Sequence, residues 1–171
     1  MRQVDITTDK DFKSTQVAIF GLKLGLTVKQ AEQIWNANDS LVAKYDNLTS
    51  DGSTRYYIYD KNSAGEAQNC LIYAIWNKGD TTLARITFFT EMYKYLKGKT
   101  RRMLSFDAID KNSELSKSFL GKPDKVEVTL DIPDIDFRHK MYYFYKMGLE
   151  IGEITDERDH RIVFALVPPR P

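Results

Sequence analysis

Three carboxylates gather in Asp131-Ile132-Pro133-Asp134-Ile135-Asp136, with His139 close behind, and oxygen clusters of this kind are what a hard cation requires. The segment lacks the central glycine and the distal Glu of an EF-hand loop. Pro133 and the alternation of Ile132 with Ile135 read equally as an extended acidic connection between strands. His139 and His160 have no His or Cys companions at ligand spacing, which argues against structural zinc. No serine stands in a Gly-x-Ser-x-Gly elbow, and neither a Gly-x-Gly-x-x-Gly nor a Walker loop occurs. Gly21 and Gly25, with Leu22 and Leu24 between them, suit close packing better than a phosphate cradle. Cys70 is the one cysteine and cannot close an intramolecular disulfide; followed by Leu71, Ile72 and Tyr73, it reads as a buried strand thiol. These residues predict no catalytic centre, no metal and no cofactor.

Binding chemistry is better represented. Lys94, Lys97, Lys99, Arg101 and Arg102 are interleaved with Tyr93 and Tyr95, and cations beside stacking rings are what single-stranded nucleic acid requires. The same composition describes a helix whose basic C-terminal turn complements the macrodipole, or a surface for an anionic protein. A formal net charge of +1 over the chain counts against bulk nucleic acid as the main partner. The ten tyrosines are the stronger feature. Tyr56, Tyr57 and Tyr59, and likewise Tyr142, Tyr143 and Tyr145, place rings on both faces of a strand. A sheet with helices on one side leaves its other face open, so some of these rings would form a docking surface; the competing reading packs them between layers.

These side chains need elements to hold them. Residues 1–16 are polar and read as a tail. Thr27 has the position of a helix N-cap, with Gln30 in the capping-box place and Val28, Ala31, Ile34 and Trp35 at helical spacing, which predicts a short helix over 28–35. The period then becomes that of strands, at 55–59, 70–76 and 83–89. Aromatic and β-branched residues dominate there, and turn-forming residues connect the runs, so an antiparallel meander follows. A helical connector is expected over 90–98. The order then repeats: a helix over 114–120 capped by Asn112 or Ser113 and stopped by Gly121 and Pro123, followed by strands at 125–130, 141–145, 149–154 and 161–167. The fold class is therefore α+β, two tandem units of short helix packed on an antiparallel meander, with a tail over 1–16, a first unit over 17–102 and a second over 103–171. No apolar run approaches the roughly 20 residues of a membrane-spanning helix. The first residues lack the basic, apolar, small-residue order of a secretory signal, so a cytoplasmic protein or a matured periplasmic or envelope form is expected.

Three stretches carry a resemblance: Gly21-Leu22-Lys23-Leu24-Gly25-Leu26-Thr27-Val28-Lys29-Gln30-Ala31, then Phe119-Leu120-Gly121-Lys122-Pro123-Asp124, then Tyr145-Lys146-Met147-Gly148-Leu149. In these the chain resembles the β-lactamase-inhibitory-protein-like group, which includes the SmpA/OmlA (BamE-type) small envelope lipoproteins. The resemblance implies a helical segment packed on an antiparallel sheet, repeated in tandem, and a bacterial binding scaffold rather than an enzyme. The expected function is that of a non-catalytic protein-binding module of the inhibitor, immunity or envelope-assembly kind. Its expected contacts are Tyr56, Tyr57, Tyr59, Tyr142, Tyr143, Tyr145, Lys94, Lys97, Arg101 and Arg102, and its expected partner is another protein. A small-ligand or lipid carrier with a pocket between helix and sheet is the alternative, and a small enzyme of unknown class the third reading.

Overall fold

The computed structural model describes residues 13–47, 50–89, 92, 95, 122–132, 137–156 and 160–171. At Thr27 the chain is still extended. Its hydroxyl accepts the Gln30 N–H, and the Gln30 side-chain oxygen accepts the Thr27 N–H at 2.9 Å, so two orphan donors are satisfied reciprocally. That capping box opens α1 (Val28–Asn36) where the sequence places it. Ala31 and Trp35 are buried on its inner stripe, with Val28 and Ile34 packed beside them. Thr27→Ala removes the cap, and a loss of about 1 kcal/mol is expected in urea unfolding; an unchanged midpoint would show that the box is not holding the helix.

Eight strands follow: β1 (Leu41–Tyr45), β2 (Thr54–Lys61), β3 (Ala67–Trp76), β4 (Arg85–Phe88), β5 (Lys125–Ile132), β6 (Phe137–Phe144), β7 (Leu149–Thr155) and β8 (His160–Leu166). They form one antiparallel sheet in the order β1-β2-β3-β4-β8-β7-β6-β5. Each half of the chain is thus a four-stranded meander, and the last strands of the two meanders pair with one another, Thr87 opposite Ala165. The fold is an antiparallel sheet with one short helix among the described residues. The second helix expected over 114–120 lies outside the described residues, as does most of the connector over 90–98. The first meander has one strand more than expected, β1. Of the expected tail, residues 14–16 form a 3₁₀ turn; Ser14 is buried and its hydroxyl donates to the Val167 carbonyl at 2.6 Å, so this end of the stretch is tied down.

Strand alternation sorts the side chains onto two faces. Ile58, Ile72, Phe88, Phe164, Ile151 and Tyr142 lie opposite one another from β2 across to β6 and make the central row of the core. The same face receives α1 and the loop before it, in which Ile19 and Leu22 are fully buried. Trp76 fastens that loop: its indole N–H donates to the Leu26 carbonyl at 2.9 Å, and its ring meets Trp35 and Tyr56 edge-on at 6.5 and 6.1 Å.

Candidate functional site

The opposite face of the sheet carries a second cross-strand row: Lys44, Tyr57, Tyr73, Thr87, Ala165, Glu150, Tyr143 and Lys125, one from each strand. The small Thr87 and Ala165 sit at its centre, and rings stand on either side. Tyr57 and Tyr73 stack with centroids 4.4 Å apart. The Tyr73 hydroxyl donates to Asp46 at 2.6 Å and accepts from Arg55 at 3.3 Å. Burial first, and the bond to Asp46 second, push that phenol up to about 12, so it is a neutral donor at physiological pH. Arg55 also pairs with Asp51 and donates to the Ser53 hydroxyl at 2.6 Å. Hydrogen bonds from Ser53, more than the guanidinium, hold the Asp51 carboxyl below the usual range. The Lys44 ammonium stands 5.2 Å from the centre of the Tyr59 ring.

In the other meander the Tyr143 hydroxyl donates to Glu127 at 3.2 Å, and Lys125 lies over the ring at 5.5 Å. Tyr145, in the 3₁₀ turn after β6, adds its ring 5.9 Å from that of Tyr143, with the Arg170 guanidinium above it at 5.8 Å. Arg85 on β4 reaches across β8 to pair with Glu150 on β7 at 2.5 Å, bracing the seam between the meanders. Beside this pair lies a recess of about 300 Å³ reached by Asp80 and Arg170 as well. Its walls combine these charged side chains with the apolar Ala84, Val167 and Pro168.

The expected tyrosines therefore divide. Tyr57, Tyr59 and Tyr143 stand half-buried on the face opposite α1, open in that no described α-helix packs on it, with Tyr145 beside them. Tyr56 does not: it lies on the helix side, 4.9 Å from Trp35, with its hydroxyl donating to Glu32 at 3.3 Å. Tyr142 is on that side too and only 6 % exposed, its hydroxyl donating to Glu153 at 2.7 Å; burial drives its pKa far above the usual phenol value. Adjacent rings on a strand must point opposite ways, so each Tyr-Tyr pair gives one ring to the core and one to the open face. Tyr142 is enclosed in the core, a correction to its expected docking role, whereas Tyr56 is half-buried on the helix side. Lys94, Lys97, Arg101 and Arg102 lie outside the described residues. Sequence alone does not single out Tyr73, Arg55, Arg85 or Glu150; the signal for Tyr73 is its alternation with Ile72, Ala74 and Trp76, which are buried and so leave its ring on the other face.

Asp131 is exposed and pairs with Arg138 at 3.4 Å, while Asp134 and Asp136 lie outside the described residues. His139 meets the Thr129 hydroxyl through Nδ1 at 2.9 Å. Among the described residues no three His, Cys, Asp or Glu side chains converge as a metal site would need, and no helix is long and apolar enough to cross a membrane. Cys70 lies in β3 as expected, half-buried rather than enclosed; burial pushes its thiol up to about 11, which leaves it protonated and a poor nucleophile. No family model matches the chain, and no curated protein or solved structure shows significant similarity to it.

Proposed function

We propose that this chain is a non-catalytic protein-binding module, of the inhibitor, immunity or envelope-assembly kind, that receives its partner on the open face of the sheet. One observation carries the reading: the face opposite α1 presents Tyr57, Tyr73 and Tyr143 in a single cross-strand row, each half-buried and each anchored by its neighbours. Rings held in place lose little rotamer entropy on docking, and their hydroxyls tolerate water while the partner is absent. The flanking cations Lys44, Arg55 and Lys125 and the carboxylates Asp51 and Glu127 give the row a mixed polar rim, the arrangement of an aromatic centre within a wet border. The joining of two four-stranded meanders into one sheet supports the tandem organisation and the inhibitor-like scaffold that goes with it.

The test begins with capture of the binding protein on the immobilised chain from a bacterial lysate and its identification. Tyr57→Ala and Tyr143→Ala are then expected to weaken its binding by about 2 kcal/mol each, with a smaller drop in melting temperature than a core ring would show. Tyr142→Ala is expected to lower the melting temperature. If binding by the Tyr57 and Tyr143 variants falls only as far as their folded fraction does, the open face is not the docking surface.

A further inference from the structure

We propose that the β5 edge of the sheet is where two copies of this chain associate, strand against strand, about a two-fold axis at Val126. Among the described residues the sheet ends at β1 on one side and at β5 on the other; β1 has five residues and β5 has eight. Val126 and Val128 are 50 % and 49 % exposed on β5. The free side of such a strand offers a row of backbone N–H and C=O groups, and a long apolar edge is a template for a further strand.

The charges on β5 select the occupant. When two identical strands pair antiparallel, residues opposite each other must point to the same face of the sheet. Before the register shift between Val128 and Leu130, the two-fold can sit on any of four residues. Centred on Lys125 or on Glu127 it sets a charge against its own copy, and centred on Val128 it runs into the bulge one residue away. Centred on Val126 it places Val126 against Val126 and, on either side, Lys125 of each copy against Glu127 of the other. Like charges directly opposite destabilise a pair of strands and opposite charges stabilise it. The edge is therefore self-complementary in one register. Within a single copy Lys125 and Glu127 already bond at 2.9 Å in the open, so the same two groups can exchange partners across the axis with little desolvation. Both β5 edges are consumed in a closed, isologous contact, so association stops at two. The contact takes Lys125 and Glu127 from the rim beside Tyr143 and lies away from Tyr57 and Tyr73 at the other end of the row.

Sedimentation velocity over chain concentrations from about 1 to about 100 µM spans the range in which so short a contact titrates. The full chain is expected to pass from one copy to two. Val126→Lys, which sets two ammonium groups face to face, abolishes the dimer. Lys125→Glu and Glu127→Lys each weaken it about tenfold, because like charges then meet on both sides of the axis. Mixing these two variants restores association as a mixed dimer, since every introduced charge meets its opposite on the other copy; an effect confined to one chain gives no such recovery. Circular dichroism of each variant verifies that the fold is kept. A wild-type chain that stays single at every concentration, a dimer that survives Val126→Lys, or variants that do not recover on mixing overturns the proposal.

Discussion

Gly148→Ala is expected to destabilise the fold by about 3 kcal/mol or more, from a left-handed backbone and an overfilled site together. Gly148 closes the 3₁₀ turn over Tyr145–Met147 at φ 66°, where an L side chain is strained. A Cβ there would run into the Ser14 hydroxyl and the Val167 carbonyl, and would sit 3.0 Å from the Pro169 nitrogen. Two of these three obstacles are backbone and cannot swing aside. They are also pinned: the Val167 N–H donates to the Gly148 carbonyl at 2.9 Å and the Arg170 N–H to the Tyr145 carbonyl at 2.8 Å. Gly79 has a similar φ of 82° but open space around it, so Gly79→Ala should show only the conformational part, about 1 kcal/mol. Urea midpoints of the two variants decide the matter. If Gly148→Ala loses no more than Gly79→Ala, the 13–17 segment and the C-terminal residues do not pack on the turn as described.

Trp76→Ala should cost about 4 kcal/mol, the range for deleting a large aromatic from a closed core. Trp76 is 1 % exposed and touches three parts of the molecule at once: α1 through Trp35, β2 through Tyr56, and the loop before α1 through the Leu26 carbonyl. Leu26 also accepts the Leu83 N–H at 2.7 Å, so its carbonyl is not orphaned when the indole goes. The loss is then chiefly one of volume. Trp76→Phe, which keeps most of the ring, should cost less than half as much. Chemical denaturation checks the order; an alanine variant as stable as the phenylalanine one would mean the ring does not hold helix and sheet together.

Much of this architecture can be read from local chemistry. Thr27 with Gln30 specifies the start of α1 because a capping box is complete within four residues of chain. The strands around Tyr57, Tyr73, Tyr142 and Ile151 show in their β-branched and aromatic runs, and their turns in Asn62-Ser63-Ala64-Gly65 and Asn77-Lys78-Gly79-Asp80. β1 escaped because Leu41-Val42-Ala43-Lys44-Tyr45 is short and mixed, and only its pairing with β2 makes it a strand. The site was half legible. Composition shows that tyrosines abound, but which ring of a Tyr-Tyr pair meets Trp35 and which meets solvent depends on the side from which α1 packs. Arg85 and Glu150 could not be joined from sequence at all, since β8 lies between their strands and arrives from the far end of the chain.

The pairing of β4 with β8 also sets an order of events. Within each meander every strand pairs with its neighbour in the chain, so each can zip by successive hairpins at little loop-closure entropy. The seam joins Thr87 to Ala165 and must wait for nearly half the chain. On a ribosome β4 emerges long before β8 is made. During that interval Ile86 and Phe88, later among the most enclosed residues of the core, stand on a bare edge. Nascent chains of this protein are thus most exposed to misassociation at the strand that ends up in the middle of the finished sheet.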